Sequence, residues 1–279
     1  MLAKPKIQKF QKEIYRYYKA HRRNFAWRPP SLKLRKGKAD PYHVLVSEVM
    51  LQQTQTSRVE KKYPLFVKQF PSVQTLAGAS PSAVLGAWSG LGYNRRATFL
   101  KRAAEIICEH FDGKVPASYE ALRQLPGVGH NTAGAVLAFA FNIAVPFIET
   151  NVRSVFIHHF FSKKKRVSDK IILPYVRLTL DPGNARDWYY ALMDYGAMLK
   201  EKYSNPSRKS AHHQKQSRFE GSHRQLRGMI LKTLLVKPRT QKQLESVVSK
   251  NASEIKTTLT ELTREKFIEK YQHIWRVCA

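Results

Sequence analysis

RQLPGVGHNTAGAVLAFAF, residues 123–141, is the stretch from which the fold class of this chain can be argued. Pro126 ends one helical segment, and Gly127 and Gly129 allow backbone angles that other residues resist. A second helix is predicted to begin near residues 130–132, and its first N–H groups can bind a phosphate without touching a base. The stretch therefore predicts a helix-hairpin-helix that binds the DNA backbone. An ordinary glycine-capped helix turn is the alternative.

The charge of the chain narrows the class of partner. Its 279 residues hold 49 Lys and Arg against 20 Asp and Glu, which gives a net charge of +29. Such a charge favours a polyanionic partner, nucleic acid first and an anionic membrane surface second. A basic surface that serves solubility alone is the alternative.

Neither a membrane span nor a secretory segment is predicted. The longest apolar run, residues 133–148, is interrupted by Asn142 and Pro146 and is too short to cross a bilayer. The first residues lack the apolar core of a signal peptide. The two cysteines, Cys108 and Cys278, are too few for a Cys-rich metal cluster and fit a reducing compartment. We therefore expect a cytoplasmic, nucleoid-associated protein without a metal site.

The pattern of apolar residues divides the chain into three parts. Helical spacing runs through residues 1–203, so this part is predicted to be all-α. Residues 204–221 are polar and basic, as is typical of an exposed linker. Three further helical patterns and a strand-like alternation at residues 271–277 predict a small winged helix over residues 222–279. The helix before the wing would enter a DNA groove; a wing that binds protein is the alternative.

Two carboxylates stand out against the basic background. Glu48 shares a helix face with Val44 and Leu45, so its side chain is expected to be desolvated, with a raised pKa that suits a general acid. A buried glutamate bonded to backbone is the alternative. Glu149 begins a new element after Pro146 and can face the DNA. Cleavage of a glycosidic bond requires such a pair, one acid for the leaving group and one carboxylate for the oxocarbenium-like sugar.

At these residues the chain resembles the helix-hairpin-helix DNA glycosylases of the endonuclease III superfamily, and within it the MutY-type, A/G-specific adenine glycosylases. The resemblance covers most of residues 20–200. It implies a two-lobed helix-hairpin-helix glycosylase fold, followed here by the small winged-helix-like domain. The motifs that carry it are WRPP at 27–30, DPYHVLVSEVMLQQTQT at 40–56, LAGASPSAVLGAWSGLGYNRRA at 76–97, LPGVGHNTAGAV at 125–136, NVRSV at 151–155 and DWYYALMDYGAM at 187–198.

The resemblance implies roles for individual residues. Glu48 matches the glutamate that protonates the departing base, and Asn151 matches an active-site asparagine near the sugar. Trp27 and Arg28 match residues that contact the extruded base. The residues implied to bind DNA are Gly127, Val128, Gly129, His130 and Thr132 of the hairpin, with Gln53 and Tyr93 inserting into the duplex beside the opposite base.

Several positions depart from the family pattern. Asn131 stands in the base pocket where bifunctional members carry a Schiff-base lysine, so strand-cleaving lyase chemistry is not expected. Glu149 replaces an aspartate and reaches one methylene further. Tyr190 replaces a Glu or Gln of the base pocket, which changes the hydrogen-bonding groups offered to the base. Lys200 stands where the first of four iron–sulfur cysteines would fall.

These features together predict a monofunctional DNA glycosylase of base excision repair. It is expected to flip out a mispaired base and hydrolyse its N-glycosidic bond, with adenine opposite guanine or 8-oxoguanine as the substrate implied by the resemblance. The alternatives are a glycosylase for thymine or uracil opposite guanine, or for a deaminated purine, and a non-catalytic DNA-binding protein. The expected partner is double-stranded DNA with a mispaired or damaged base, bound by a monomer. We expect no iron–sulfur cluster, no other cofactor and no 8-oxoguanine-recognition domain, and leave open a monovalent cation at the hairpin.

Overall fold

The computed structural model describes residues 3–28, 39–214, 218–248 and 250–278 of the chain. The helices up to residue 141 are α1 (Lys4–His21), α2 (Pro41–Leu51), α3 (Thr56–Gln69), α4 (Val73–Ala77), α5 (Pro81–Trp88), α6 (Arg95–His110), α7 (Tyr119–Gln124) and α8 (His130–Phe141). The later helices are α9 (Thr150–Phe160), α10 (Asp169–Thr179), α11 (Ala185–Lys202), α12 (His223–Val236), α13 (Gln241–Val248) and α14 (Ala252–Arg264). The strands are β1 (Arg239–Thr240), β2 (Ile268–Tyr271) and β3 (Ile274–Val277). The predicted helical class is thereby confirmed.

The chain divides into two compact units, neither of which is continuous in sequence. The first contains Met1–Glu48, Pro116–Gln124 and Val128–Lys215, and the second contains Val49–Val115, Leu125–Gly127 and Gln216–Ala279. Helix α2 thus contributes its first eight residues to one unit and its last three to the other. The domain boundaries placed at residues 203 and 221 stay predictions.

The core of the first unit forms around α8, α9 and α11. Helix α8 is apolar nearly all round, and its residues from Ala133 to Ala140 are buried, as expected of a central helix. Gly134 allows a close approach, because a Cβ there would lie 2.8 Å from the ring of Phe147. Gly196 of α11 likewise allows contact with the backbone of Asn151 at the start of α9. Both contacts hold the segment around Glu149 against buried helices.

The C-terminal part of the second unit has the elements of a winged helix. Helices α12, α13 and α14 pack together, and the strands form an antiparallel sheet in the order β1-β3-β2. The predicted alternation at residues 271–277 is in fact two paired strands, because residues 272 and 273 form a turn between β2 and β3. The apolar face of α12 is formed by the buried residues Leu226, Ile230, Leu231 and Leu234.

The segment predicted as an exposed linker is partly folded. Pro206–Lys209 is a short 3₁₀ helix that packs against α9, and Pro206 and Ser207 are buried. Val167 exchanges backbone hydrogen bonds with Lys209 and Ala211. The expectation of an exposed linker is therefore wrong for Pro206, Ser207 and Ser210, which are buried, because the backbone on either side of Ser210 pairs with Val167 as in a strand bridge. Among the described helices, none is long and apolar enough to cross a membrane.

Candidate active site

Glu48 lies on α2 between buried apolar neighbours and keeps only partial exposure. Val44 and Leu45 are 3% and 1% exposed on the preceding turn. Burial first, and the negative charge of Glu149 second, raise the pKa of the Glu48 carboxyl to about 8, against the opposing positive charge of Arg28. At neutral pH the group therefore holds its proton. The structure agrees with the raised pKa expected from the sequence.

Glu149 caps the N-terminus of α9. Its Oε1 accepts hydrogen bonds from the backbone N–H groups of Asn151 and Val152, at 2.7 and 2.8 Å. These are donors without a partner inside the helix, and the positive end of the helix dipole favours a carboxylate there. The extra methylene of glutamate is accommodated because the side chain folds back onto the helix end. Its carboxylate is therefore fixed instead of extending one bond further into the site.

Asn151 connects the Glu149 carboxylate to a lysine on another helix. Its Nδ2 donates to Oε2 of Glu149 at 3.2 Å, and its Oδ1 accepts from Nζ of Lys200 at 2.7 Å. A lysine can only donate, so it determines which end of the Asn151 amide faces it. Burial lowers the pKa of Lys200, whereas the charge of Glu149 raises it. In the sequence, Lys200 stood out only because it occupies the position of the first iron–sulfur cysteine of the resembled family. Its hydrogen bond to Asn151 was not predicted.

Three of the four predicted base-pocket residues, Trp27, Arg28 and Tyr190, make buried aromatic and cationic contacts. Tyr190 is 3% exposed, with Phe139 stacked on it at 4.3 Å and the guanidinium of Arg28 at 4.4 Å from its ring centroid. Arg28 is itself buried, and its Nη1 donates to both carboxylate oxygens of Asp194 at 2.9 and 3.0 Å. Trp27 is 8% exposed and contacts a neighbouring aromatic ring. Asp194 was not singled out from the sequence.

Asn131 lies at the exposed start of α8 and supports the segment that precedes Glu149. Its Oδ1 accepts a hydrogen bond from the backbone N–H of Ile148 at 3.3 Å. The side chain at this position is thus a structural bridge between α8 and the residue before the helix cap. An amide has no amine to form an imine, so this position offers no nucleophile for strand cleavage.

The hairpin between α7 and α8 has the predicted turn, with one correction. Gly127 has φ +77°, which favours glycine, and a Cβ there would contact Phe99 at 3.0 Å. The expectation that Gly129 needs a similar freedom is wrong, since its φ of −81° is open to any residue. Val128 is buried, and the Nδ1 of His130 is 2.6 Å from the hydroxyl of Tyr119. The remaining hairpin residue, Thr132, is half-buried on the first turn of α8.

Gln53 and Tyr93 belong to the second unit, each on a strained turn. Their φ angles are +53° and +47°, values that L-residues rarely adopt. Gln53 is exposed, and the ring of Tyr93 is 37% exposed. The structure therefore presents both side chains to solvent at strained backbone positions.

A buried arginine that sequence reasoning missed holds these two turns. Arg96 is 8% exposed, and its guanidinium donates to the carbonyl oxygens at the end of α2 and at both turns. Its burial lowers the pKa of the guanidinium to about 10. The sequence did contain a signal for this buried residue, because Arg96 stands among the alanines and the leucine of the amphipathic helix α6. The acceptors are the carbonyls of Val49, Met50, Gln52, Leu91 and Gly92, at 2.6–3.3 Å, and the Thr54 hydroxyl at 2.9 Å.

The residues of the chain do not fit an iron–sulfur cluster. Such a cluster needs four cysteine thiolates, and the 279 residues contain only Cys108 and Cys278. Lys200, at the position of the first cluster cysteine, is engaged with Asn151. In the part of the chain that the structure describes, no three His, Cys, Asp or Glu side chains form a group that could hold a metal ion.

The first unit thus combines three capacities in one set of residues. Glu48 can donate a proton near neutral pH, Glu149 supplies a fixed carboxylate, and Tyr190 and Arg28 supply a buried aromatic and cationic contact. The charges of Glu149 and Arg28 both act on the Glu48 carboxyl, so the three groups influence one another electrostatically. The same set matches the acid and carboxylate that glycosidic cleavage needs.

Comparison with known proteins shows which proteins the residues of this site resemble. Residues 46–173 match the family model described as "HhH-GPD superfamily base excision DNA repair protein". Residues 46–173 of the chain are therefore similar to the HhH-GPD superfamily. The matched residues include Glu48, the hairpin, Glu149 and Asn151, whereas Arg28, Tyr190 and Lys200 lie outside them.

Individual relatives show which DNA glycosylases the chain is similar to. The chain is 36% identical over 188 residues to the adenine DNA glycosylase of Mycolicibacterium smegmatis, covering 67% of this chain and 62% of that protein. It is 35% identical over 170 residues to the adenine DNA glycosylase of Buchnera aphidicola subsp. Baizongia pistaciae, covering 61% and 48%. A solved thermostable thymine-DNA glycosylase has the same fold, with a TM-score of 0.60, 24% identity and coverage of 74% and 92%. The chain spans roughly half to three fifths of these two curated relatives.

Proposed function

We propose that this protein is a monofunctional DNA glycosylase that removes a mispaired base from double-stranded DNA, adenine opposite guanine or 8-oxoguanine. One observation carries the proposal: Glu48 holds a proton near neutral pH, and it is influenced by the charge of Glu149, whose carboxylate caps α9. The similarity to the HhH-GPD superfamily and the names of the relatives support the same reaction class.

The reaction would divide between the two carboxyl groups. Glu48 donates its proton to the departing base, which makes that base a neutral leaving group. Glu149 then stabilises the positive charge that develops on the sugar, and water completes the hydrolysis. Tyr190 and Arg28 are buried against each other, and this pair would support the pocket that receives a base after it has left the duplex.

The DNA backbone would bind at the hairpin. The N-terminus of α8, which is the positive end of its helix dipole, would bind a phosphate next to the positive φ of Gly127. Gln53 and Tyr93, on their strained turns, would insert into the duplex on the side of the opposite base. We further propose that the enzyme works as a monomer without a metal cofactor. A monovalent cation at the hairpin stays a prediction.

The test is a panel of duplexes that carry A·8-oxoG, A·G, T·G, U·G and hypoxanthine·T. After incubation with the protein, hot alkali should break the strand at adenine and leave the other strands intact. Borohydride should trap no covalent protein–DNA complex, because Asn131 cannot form an imine. Glu48→Gln, which keeps the shape of the side chain, is the matched control and should release no base.

Each other outcome assigns a different function. Strand breaks at thymine, uracil or hypoxanthine would show that this base, and not adenine, is the substrate. Tyr190, which departs from the family pattern, would then be the first residue to test for base specificity. Binding to every duplex with no break would make the protein a DNA-binding protein without catalysis. A borohydride-trapped complex would show that an amine elsewhere performs lyase chemistry.

A further inference from the structure

The C-terminal helices of the second unit touch the turn that carries Tyr93. Arg224, on the first turn of α12, donates from Nη1 to the hydroxyl of Tyr93 at 2.6 Å. Its guanidinium carbon also lies 5.6 Å from the centroid of the Tyr93 ring. A short hydrogen bond and a cation–π contact therefore act on the same aromatic side chain.

An ion-pair network anchors α12 and α14 next to this contact. Arg95, two residues after Tyr93, pairs with Glu265 at 2.8 Å, and Arg227 pairs with the same carboxylate at 2.6 Å. The side chain of Glu265 is only 12% exposed. Hydrogen bonds from Arg95, first, and from Arg227 lower the pKa of Glu265. A half-buried carboxylate with two guanidinium partners is a stronger anchor than a solvent-exposed pair.

The Tyr93 ring stands out from its turn into solvent, so contacts from other side chains can hold it in place. Gly92 and Tyr93 both have positive φ angles, and the ring stands 37% exposed. The buried guanidinium of Arg96 lies 5.5 Å from the ring centroid, so it supports the ring from within the helical part of the unit. Arg224 supplies the remaining contact with the hydroxyl. Two arginines from distant parts of the sequence thus hold one exposed aromatic ring.

We propose that Arg224 is a positioning residue that makes the C-terminal winged helix part of the DNA-binding surface, by holding the Tyr93 ring ready to enter a mispaired duplex. This inference rests on the proposed function, because it takes the ligand of that surface to be DNA. Ordering the ring before binding removes an entropy cost at the moment of insertion. The benefit is largest where the base stack is already weakened by a mispair, so Arg224 increases discrimination more than overall affinity.

The charge of the C-terminal residues fits the same partner. Residues 222–279 contain 12 Lys and Arg against 5 Glu. Four of those glutamates pair with basic side chains inside this unit, at Glu254, Glu261, Glu265 and Glu269. The basic residues Lys256, Arg264 and Lys266 are exposed on α14 and the turn that follows it. A polyanionic strand is the class of partner that such a surface attracts.

The experiment compares Arg224→Met with Lys232→Met, which removes one exposed charge from the same helix. Binding is measured by titration of a mispaired and a fully paired duplex of the same length. Unstacking is measured with 2-aminopurine placed beside the mispair, a readout that needs no chemistry. We expect Arg224→Met to reduce the ratio of the two affinities about 5- to 10-fold and to suppress the 2-aminopurine signal. Lys232→Met should weaken both duplexes equally and leave the ratio unchanged.

A double-mutant cycle with Tyr93→Phe tests the specific contact. The phenylalanine variant keeps the ring and removes only the hydroxyl that Arg224 binds. We expect it to reproduce most of the effect of Arg224→Met, and we expect the double variant to be no worse than Arg224→Met, because the same hydrogen bond is lost in all three. Circular dichroism shows whether each variant is folded. If Arg224→Met does not fold, the more conservative variant Tyr93→Phe still tests the contact.

Two results would overturn the inference. One is an unchanged affinity ratio and 2-aminopurine signal in Arg224→Met, and the other is full additivity of Arg224→Met and Tyr93→Phe. Failure of the proposed function would look different: the wild-type protein would release no base from any duplex. The binding and unstacking measurements still report on Arg224 in that case.

Discussion

Glu48 shows how one residue can acquire a chemical capacity from its surroundings. Its position on an apolar helix face desolvates the carboxyl, and the charge of Glu149 adds to the effect. A proton held to a pKa of about 8 stays on the group at neutral pH, yet the carboxyl remains acidic enough to donate it.

This environment predicts the pH dependence of both rate and stability. The rate of base release should fall as pH rises through about 8, because Glu48 then loses the proton it donates. The folded-state pKa is above the ordinary value of 4.5, so the folded state binds the proton more tightly. The free energy of unfolding should therefore decrease between pH 4.5 and 8. Single-turnover excision and urea unfolding across pH measure the two effects, and Glu48→Gln should flatten the stability change in that window.

Substitutions of Glu149 should slow base release without greatly lowering the stability of the fold. Aspartate in its place can still cap α9, but its carboxylate would lie about 1 Å further back, which can slow a reaction by about 10²-fold. Glu149→Gln can also cap the helix but lacks the charge, so it should be at least as slow. Both variants should unfold within about 1 kcal/mol of the wild type. Excision by Glu149→Gln at the wild-type rate would show that Glu149 is not the carboxylate that meets the sugar.

Lys200 should affect the rate of excision mainly through Asn151. Lys200→Met removes the donor to Oδ1 of Asn151, so the amide can turn and release Oε2 of Glu149. We expect roughly 10-fold slower single-turnover excision with little change in Kd, as for loss of one oriented hydrogen bond near a charge. Lys200→Arg should recover most of the rate. Lys202→Met, at an exposed position of the same helix, is the control; an equal loss there would point to overall charge.

At the scale of elements, the end of α2 depends on a single side chain. The last carbonyls of a helix have no partner within it, and Arg96 supplies donors to those of Val49 and Met50. The same guanidinium holds the turn after α2 and the turn before α6. The backbone that presents Gln53 and Tyr93 is therefore braced from inside the second unit.

Removing this brace should cost stability and order in both turns. We expect Arg96→Met to lower the free energy of unfolding by roughly 3 kcal/mol or more, since each buried carbonyl left without a donor costs about 1–3 kcal/mol. Arg102→Met, at an exposed position of α6, should have little effect. Urea unfolding measures both. If the two variants are equally stable, the contacts of Arg96 add nothing to the fold.

At the scale of the whole molecule, the excess of positive charge governs association with DNA. A net charge of +29 is spread over the chain, and it attracts the phosphate backbone without regard to sequence. Discrimination must then come from the few residues that touch the bases or enter the stack.

Salt should separate these two contributions. With roughly 6–10 phosphate contacts, the affinity for any duplex should fall by about 10³- to 10⁵-fold between 50 and 200 mM salt. The ratio of affinities for mispaired and paired duplexes should change far less, because it does not depend on released counterions. Titrations at four salt concentrations give both slopes. A mispaired duplex with a much shallower slope than the paired one would contradict this division.

The local sequence pattern was sufficient to predict the helical class, the hairpin turn and the raised pKa of Glu48. Periodic apolar residues specify a helix and its buried face, and LPGVG specifies a turn, because each depends on neighbours within a few positions. The pattern could not give the pairing of residues 206–211 with Val167, since that depends on a segment distant in sequence.

The partners that tune the site were decided only by tertiary structure. Lys200 meets Asn151 across 49 residues, Arg28 meets Asp194 across 166, and Arg224 meets Tyr93 across 131. Periodicity reports which face of an element is buried but says nothing about which polar group lies opposite it. A side-chain hydrogen bond requires atoms placed within about 3 Å, and only the packing of whole helices brings such distant groups that close.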